Sequence, residues 1–244
     1  MTEFCVEFRG VEKSWNETKV IQGVSLGIAR NLTTALVGES GSGKSTLLQI
    51  INGLVRPDLG EVLVDGEPLN YAQLPLIRRR MGYAVQGGGL FPHLNVKRNV
   101  TLMAELEGWS ASAINNRYRQ LNELLELPAE LSARYPHSLS GGQQQRVSLC
   151  RAMMLNPALL LLDEPFSALD PITREAIHGE FIRLQLVESR SIILVTHDLS
   201  EAVKLAQQLV ILKDGMIVRQ GGIDEVRAAP DDYTAQLFAT AGLQ

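Results

Sequence analysis

Eight consecutive residues, 38–45, have the types and spacing needed to hold a phosphate group; they read Gly-Glu-Ser-Gly-Ser-Gly-Lys-Ser. Glycines lack a Cβ, so the backbone can take positive φ and bring successive N–H groups close to an anion. Lys44 is expected to reach the β- and γ-phosphates, and the Ser45 hydroxyl to bind Mg²⁺. The run predicts a nucleoside triphosphate site formed by Gly38, Ser40, Gly41, Gly43, Lys44, Ser45 and Thr46.

The surroundings of this run favour a true phosphate-binding loop over a glycine-rich turn. Apolar residues 35–37 precede it, as a buried strand would, and helical spacing follows it at Leu47, Leu48, Ile50, Ile51 and Leu54. A loop between a strand and a helix directs the positive end of the helix dipole at the anion.

A pair of carboxylates follows a second apolar run, because Leu159-Leu160-Leu161-Leu162 leads directly into Asp163 and Glu164. Phosphoryl transfer to water needs a carboxylate for the metal shell and a group that orients or deprotonates the water. We predict that Asp163 holds Mg²⁺ and that Glu164 is the general base. A solvated strand end is the ordinary explanation of an Asp-Glu pair, but the four leucines and the upstream loop favour catalysis.

Two more polar residues end predicted strands. Gln86 follows residues 83–85, and His197 follows the strand at 192–195 after one intervening threonine. Ligands of open α/β sheets bind at the carboxyl ends of the strands. We therefore predict one catalytic site that contains Glu164, His197 and Gln86, with the Gln86 amide on Mg²⁺ or on the attacking water.

Ser140-Gly141-Gly142 precedes a helical run that begins at Gln143. A serine is a favoured helix N-cap, and an N-terminus with two glycines can bind an anion. From the residues alone, two interpretations stay open: an ordinary capped helix, or a second anion site.

Strands and helices alternate along the chain and must position these residues. Apolar alternation and short apolar runs predict strands, whereas 3.6-residue spacing predicts helices. Strands are predicted at 5–8, 20–28, 33–37, 61–66, 81–85, 159–162, 192–195, 209–212 and 216–218, the last two joined by a tight hairpin. Helices are predicted after the phosphate loop, at 96–127, from 143, at 173–188 and at 199–208. The pattern indicates an α/β fold interrupted by a helical insertion at roughly residues 90 to 150.

Composition excludes several classes of protein. A chain with 45% apolar and 20% charged residues is typical of a globular protein, and a net charge of −4 argues against a nucleic-acid partner. Cys5 and Cys150 are far apart, so we interpret both as buried apolar side chains rather than metal ligands. The N-terminus lacks a signal-peptide pattern, and the longest apolar run, 158–162, is far shorter than the ~20 residues of a membrane span. We expect a cytosolic chain unless a partner holds it at a membrane.

The chain resembles the ATP-binding subunit of ATP-binding cassette (ABC) transporters over nearly its whole length. The family's motifs occur in order: the aromatic Trp15, the Walker A loop at 38–45, the Gln86 loop, the signature Leu139-Ser140-Gly141-Gly142-Gln143, the Walker B strand at 159–164, Ser167-Ala168-Leu169-Asp170 and His197. The signature is the specific motif, because other phosphate-loop ATPases lack it. The resemblance implies one ABC domain over residues 1–244, with a P-loop NTPase core, an antiparallel β subdomain and the helical insertion.

The resemblance also implies partners and roles. Two copies are expected to face each other head to tail, with Ser140, Gly141 and Gly142 of one copy at the γ-phosphate held by the other. Trp15 would stack on adenine, the Asp170 segment would cross the dimer interface, and His197 would contact the γ-phosphate. The helical insertion and the Gln86 loop would receive a coupling helix of a separate membrane permease, which an extracytoplasmic solute-binding protein serves. The expected location is peripheral, on the cytoplasmic face of the plasma membrane.

Three segments, 90–96, 135–137 and 170–174, are similar to bacterial importers of osmoprotectants such as glycine betaine and choline. The expected function is therefore ATP hydrolysis that energises solute import. Alternatives are an importer of an amino acid, sulfonate or nitrate, a cassette ATPase acting on soluble machinery, and a scaffold that binds ATP without turnover. The intact set of motif residues disfavours the scaffold.

Departures from the family pattern carry three expectations. Ala29-Arg30-Asn31-Leu32 replaces the usual glycine turn and is expected to change that turn but not the chemistry. Gly87-Gly88-Gly89 stands where relatives usually carry bulkier residues, so we expect a mobile loop and weaker coupling of ATP to transport, with Gly88→Ile as the test. The end at Gln244 is expected to leave no room for a paired regulatory domain.

Overall fold

The computed structural model describes residues 3–187, 190–228 and 230–243. Its strands in chain order are β1 (Phe4–Trp15), β2 (Thr18–Ala29), β3 (Thr33–Val37), β4 (Leu59–Val64), β5 (Glu67–Pro68), β6 (Met81–Ala84), β7 (Leu159–Asp163), β8 (Ser191–Thr196), β9 (Gln208–Lys213) and β10 (Met216–Gly222). Its helices are α1 (Lys44–Ile51), α2 (Leu74–Arg78), α3 (Val96–Leu106), α4 (Ala111–Leu124), α5 (Gly141–Met153), α6 (Pro171–Val187), α7 (Leu199–Leu205), α8 (Ile223–Ala228) and α9 (Asp232–Thr240). The predicted α/β class is confirmed.

The chain divides into two compact units. The first combines Met1–Arg78 with Ser189–Gln244, and the second is Arg79–Glu188. The prediction of one ABC domain over 1–244, with a helical subdomain at about 90–150, stays a prediction.

The first unit contains an antiparallel sheet in the order β2-β1-β4-β5. Val6 of β1 pairs with Ile28 on one side and with Val64 on the other. Strands β1 and β2 are twelve residues each, longer than the sequence predicted. Bulges in their pairing interrupt the apolar alternation on which the prediction depended. The antiparallel β subdomain is confirmed.

The first unit also contains four strands in the order β10-β9-β3-β8. β3 is parallel to both β8 and β9, and every residue of β3 and β8 is buried. Buried parallel strands read as continuous apolar runs, which is why the sequence located them closely. The carboxyl ends of the three parallel strands coincide, because Val37 pairs with Thr196 and with Ile211.

Tight turns in this unit use left-handed backbone. Asn31 takes φ +58°, the left-handed conformation that glycine adopts most readily, and its N–H donates to Ser191 Oγ over 3.0 Å. Asp214 and Gly215 both have positive φ and join β9 to β10, as a two-residue hairpin loop requires. The predicted hairpin is confirmed.

Two helices of the first unit end earlier than predicted. α1 ends at Ile51, and Gly53 then takes φ +66°, so Leu54 is not a helical core residue and is 55% exposed. α7 ends at Leu205 rather than at 208, because Gln207 exchanges hydrogen bonds with Thr33, the first residue of β3. Helical spacing alone did not reveal either stop.

The sequence prediction missed α8 and α9. Val226 and Phe238, one from each helix, pack in a cluster with Ala35, Val37 and Leu209. These helices therefore cover one face of the parallel strands. Both are short, and few of their residues are buried, so their apolar periodicity is weak.

The second unit is built around the parallel pair β6 and β7, in which Ala84 lies opposite Leu162. α5 packs against β6 and α3. A Cβ placed on Gly82 of β6 would lie 2.2 Å from the Ala152 carbonyl oxygen of α5. Helix and strand are therefore in main-chain contact at this glycine.

The prediction of one helical stretch over 96–127 is wrong, because a turn separates α3 from α4. Gly108 takes φ +72°, and the Ser110 hydroxyl caps α4 by accepting from the Ala113 N–H. α6 begins at Pro171, two residues earlier than predicted, and residue 188, its predicted end, lies outside the described residues.

Candidate functional site

The glycine loop leaves β3 at Gly38 and enters α1 at Lys44, as the sequence predicted. Gly43 takes φ +102°, and a Cβ there would lie 2.6 Å from Ile21 Cδ1 and 2.8 Å from the Val20 carbonyl oxygen. A Cβ on Gly38 would lie 2.1 Å from the Leu212 carbonyl oxygen. Neighbouring main chain thus closes around the loop from two sides, and only glycine fits.

Lys44 is 5% exposed, and its ammonium group is held by the loop itself. Nζ donates to the carbonyl oxygens of Gly38 and Glu39 over 2.8 and 2.7 Å, and to Ser42 Oγ over 3.3 Å. A buried ammonium needs such acceptors. They place a positive charge inside the loop.

Ser45 and Thr46 lie in the first turn of α1, and Ser40 is exposed in the loop. No acidic side chain occupies this first turn, so the positive end of the helix dipole is not offset there. The first N–H groups of a helix have no acceptor within the helix, so a first turn suits a multiply charged anion.

Trp15 is the last residue of β1 and is 48% exposed. The ammonium of Lys13 lies 5.1 Å from the centre of its ring. Trp15 pairs with Thr18 at the start of β2, the strand whose Val20 and Ile21 lie against Gly43. The predicted adenine-stacking residue therefore belongs to the hairpin that lies against the glycine loop.

His197 directly follows β8 and is exposed. Its neighbour Thr196 pairs with Val37, the residue before Gly38. His197 and the glycine loop therefore leave the sheet side by side, at the edge where the sequence placed a ligand.

Asp163 ends β7 in the second unit and is 4% exposed. Burial and, to a smaller extent, the negative charge of the nearby Asp163 carboxylate raise the pKa of Tyr83 in β6 to about 12. Tyr83 therefore stays neutral at physiological pH beside the predicted metal ligand.

Glu164 takes φ +47°, a left-handed conformation uncommon for glutamate. Its Oε2 accepts a hydrogen bond of 3.1 Å from Gln86 Nε2. The predicted base and the predicted loop glutamine are thus in direct contact. Strained backbone of this kind clusters at functional sites.

Ser140 caps α5 through a reciprocal capping box. The Ser140 hydroxyl accepts from the Gln143 N–H over 3.3 Å, and Gln143 Oε1 accepts from the Ser140 N–H over 3.0 Å. Gly141 and Gly142 form the first turn, which presents backbone N–H groups at the helix tip. The structure therefore confirms the capped helix, and a second anion site at this tip stays a prediction.

Two residues of α5 that hold neighbouring loops of the predicted site were not predicted from the sequence. Gln145 contacts the main chain of the segment that follows Asp163. Arg151 donates to the carbonyl oxygens of Gly89 and Gly88 over 2.9 and 3.2 Å. Burial lowers the pKa of the Arg151 guanidinium from its ordinary value. A glutamine inside the run Gln143–Val147 was the available signal for the first; nothing in the sequence indicated the second.

The predicted site residues are divided between the two units. The first unit holds the glycine loop, Trp15 and His197, and the second holds Gln86, Asp163, Glu164 and the Ser140 tip. The prediction that both sets serve one ligand stays a prediction. None of the helices in the described part of the chain is long and apolar enough to cross a membrane.

Comparison with known proteins identifies the family. The family model described as ABC transporter matches residues 21–167. The glycine betaine uptake system ATP-binding protein of Escherichia coli (strain K12) is 43% identical, over 98% of this chain and 78% of that protein. The choline transport ATP-binding protein of Bacillus subtilis (strain 168) is 42% identical over 90% of this chain, which spans only 58% of that relative's length.

A solved structure agrees with this assignment. The dimeric post-hydrolysis state of an ATP-binding cassette bound to ADP and Pi has a TM-score of 0.83 and 33% identity, covering 89% of this chain and 98% of that one. The chain therefore belongs to the ABC transporter family, as an ATP-binding and ATP-hydrolysing cassette.

Proposed function

We propose that this cassette energises the import of osmoprotectants, such as glycine betaine, through a separate membrane permease. The observation that carries the proposal is the similarity of most of the chain to relatives named for glycine betaine uptake and choline transport. An importer of another small solute is the alternative that an experiment must separate.

In this proposal the first unit binds the nucleotide. Lys44, with its ammonium already held inside the loop, contacts the β- and γ-phosphates, and the N–H groups of Gly38, Ser40, Gly41, Gly43 and Thr46 surround them. Trp15 stacks on adenine through its exposed ring face. His197 contacts the γ-phosphate from the end of β8.

The second unit supplies the general base. Glu164 removes a proton from the attacking water, and Gln86 orients both the carboxylate and the water through its amide. The contact between Gln86 and Glu164 supports these roles, because an amide that holds one carboxylate oxygen leaves the other able to accept a proton.

We also propose that Mg²⁺ is bound by Ser45, Gln86 and Asp163. All three offer oxygen ligands, which Mg²⁺ prefers, and it commonly takes only one or two carboxylates together with substrate phosphates. The buried carboxylate of Asp163 beside a neutral Tyr83 fits a cation site. When bound, Mg²⁺ offsets negative charge that develops on the phosphate oxygens.

The proposed assembly is a head-to-tail dimer in which Ser140, Gly141 and Gly142 of one copy cap the γ-phosphate held by the other. The capped tip of α5 supports it, because one nucleotide does not need two anion-binding helix ends in one chain. The similar dimeric cassette with bound ADP and Pi also supports it.

We place the permease contact on the second unit, at α3–α5 and the loop after Gln86. Phe91 and Tyr135 are 42% and 45% exposed there, so apolar surface is available to a coupling helix. The chain is then peripheral, on the cytoplasmic face of the plasma membrane, and the permease receives solute from an extracytoplasmic binding protein. No nucleic acid takes part.

Uptake measurements in the parent cells test the transport proposal. Replacing the gene with a Glu164→Gln copy should abolish uptake of labelled glycine betaine or choline and leave uptake of labelled sulfate unchanged. Loss of sulfate uptake with normal glycine betaine uptake would assign the cassette to another importer.

Concentration dependence tests the dimer. ATPase activity per chain should rise with protein concentration until the dimer is saturated, and Ser140→Ala should weaken this dependence. Equal turnover per chain in a sample held monomeric would refute the shared site.

A further inference from the structure

Gln145 lies one turn along α5 from the Ser140 tip and is 4% exposed. Both the nitrogen and the oxygen of its side-chain amide form hydrogen bonds. Nε2 donates to the Glu164 carbonyl oxygen over 2.8 Å and to Ser167 Oγ over 2.9 Å, while Oε1 accepts from the Ala168 N–H over 2.9 Å. One buried side chain thus holds both ends of residues 164–168.

These contacts bear directly on the conformation of Glu164. The Glu164 carbonyl oxygen also accepts from Ser167 Oγ over 3.0 Å, so two donors fix the peptide that follows a residue at φ +47°. A left-handed glutamate is unfavourable and persists only where its surroundings impose it. Gln145 is a part of those surroundings that comes from a different element, α5, and it acts on the main chain of Glu164, whereas Gln86 contacts the carboxylate.

The tip of α5 contacts the same segment. A Cβ placed on Gly142 would lie 3.1 Å from the Ala168 carbonyl oxygen and 3.2 Å from Leu169 Cδ2. The main-chain contact between Gly82 and Ala152 fixes the other end of the helix on β6. A displacement of the α5 tip therefore carries the Glu164–Ala168 segment with it or breaks the Gln145 contacts.

We propose that Gln145 is a positioning residue that joins the Ser140–Gly142 tip of a chain to the general base of the same chain. This proposal rests on the dimer of the proposed function, in which Gln145 couples two nucleotide sites. The tip acts on the nucleotide bound by the partner copy, whereas Gln145 transmits the position of that tip to Glu164, which serves the chain's own nucleotide.

Two near-isosteric substitutions test the positioning role. Gln145→Met removes every hydrogen bond, and Gln145→Glu keeps the acceptor for Ala168 but loses the donor to Glu164. Both should lower kcat by about 10- to 100-fold, as misplacement of a catalytic group does, and leave the Kd for ATP and the KM within about twofold. Gln144→Met is the matched control on the same helix; it contacts Leu139 instead and should keep kcat within about twofold.

Mixed dimers show which base Gln145 serves. In the cis arrangement, one chain carries Gln145→Met and its mate carries Lys44→Ala, so the Gln145→Met chain must use its own Glu164. In the trans arrangement, one chain carries both substitutions and its mate is wild type. Single-turnover hydrolysis should be slow in the cis dimer. In the trans dimer it should have nearly the rate of a reference dimer of one wild-type chain and one Lys44→Ala chain.

The outcomes separate the two proposals. A wild-type chain that neither hydrolyses ATP nor dimerises with it contradicts the proposed function. If the wild type does both, equal rates in the cis and trans dimers, or a Kd that rises as far as kcat falls, overturn the role of Gln145. Thermal melts accompany each variant; should Gln145→Met fail to fold, Gln145→Glu alone decides, and unchanged kcat in it refutes the proposal.

Discussion

Gln86 Nε2 donates a hydrogen bond of 3.1 Å to Glu164 Oε2. The two residues meet because β6 and β7 run in register: Ala84 pairs with Leu162, and each functional residue follows two positions later, just beyond the end of its strand. The contact joins the end of one strand to the proposed base at the end of the next. Any movement of the Gln86 loop therefore changes how the carboxylate is held.

The base assignment predicts that Glu164→Gln binds ATP normally and hydrolyses it about 10²- to 10⁴-fold more slowly, the usual contribution of a positioned base. Steady-state phosphate release and equilibrium nucleotide binding measure the two quantities. Glu123→Gln, at an exposed position of α4, is the control and should behave as the wild type. Near-normal hydrolysis by Glu164→Gln would move the base role elsewhere.

The phosphate-loop assignment predicts that Lys44→Ala loses nucleotide binding or hydrolysis, because a buried charge beside the phosphates is removed. Binding of a fluorescent ATP analogue and phosphate release are the measurements. Lys19→Ala, which removes an exposed ammonium paired with Glu12, should change neither. Unaffected turnover in Lys44→Ala would contradict the contact.

Two glycines of the loop should respond differently to alanine. Gly43→Ala brings a methyl group within 2.6 Å of Ile21 and 2.8 Å of the Val20 carbonyl oxygen, so the loop must shift and ATP binding should fall at least tenfold. Gly41→Ala meets nothing within 4 Å and carries only the cost of its positive φ, about 1 kcal/mol. Equal affinities for ATP would show that the close approach at Gly43 is unimportant.

Arg151 should control the coupling of ATP hydrolysis to transport. Its guanidinium holds the carbonyl oxygens of Gly88 and Gly89 and lies 5.6 Å from the Phe91 ring, on the proposed permease surface. Arg151→Lys cannot form both hydrogen bonds in this fork geometry, so transport-stimulated ATPase should fall relative to basal ATPase. Arg227→Lys, exposed on α8 of the first unit and outside the proposed permease surface, is the control.

The hydrogen bonds of Arg151 also change how the Gly88→Ile variant of the Gly87–Gly89 loop must be interpreted. The sequence predicts a mobile triglycine segment, yet two of its carbonyl oxygens are held by one partly buried side chain. Gly88 takes φ +82°, where a β-branched residue is strongly disfavoured, so Gly88→Ile would strain the loop rather than simply stiffen it. An unchanged ratio of stimulated to basal ATPase in Arg151→Lys would show that coupling does not depend on this contact.

The raised pKa of Tyr83 predicts a loss of stability at alkaline pH. A tyrosine with pKa near 10 in the unfolded chain and about 12 in the fold stabilises the fold below pH 10 and loses that contribution as the pH rises from 10 to 12. The loss amounts to at most about 2 to 3 kcal/mol. Tyr83→Phe should reduce the fall in the free energy of unfolding over this range, as measured by urea denaturation; an unchanged fall would contradict the shift.

Features with a strong local signal were predicted from the sequence. The continuous apolar runs of β3, β7 and β8 identified buried strands, and the residues that follow them were recognised as candidate site residues. These predictions succeeded because a strand buried on both faces needs apolar residues throughout.

Features that depend on local backbone stops or on tertiary contacts were not predicted. The break at Gly108 and the early end of α7 at Leu205 arise where a glycine or a sheet contact overrides helical spacing. Gln145 and Arg151 could not be assigned, because most of their partners are main-chain atoms far along the sequence. A pattern of residue types carries no record of such atoms.

The left-handed backbone of Glu164 restricts which residues can replace it without damage to the fold, whether or not they can act as a base. Glycine, asparagine and aspartate tolerate that conformation best, whereas valine, isoleucine and threonine do not. A lineage could therefore abandon ATP hydrolysis through one of the tolerated replacements and keep a correctly folded, nucleotide-responsive subunit. Branched replacements would damage folding and turnover together, so inactive descendants of this cassette should be found among the first group.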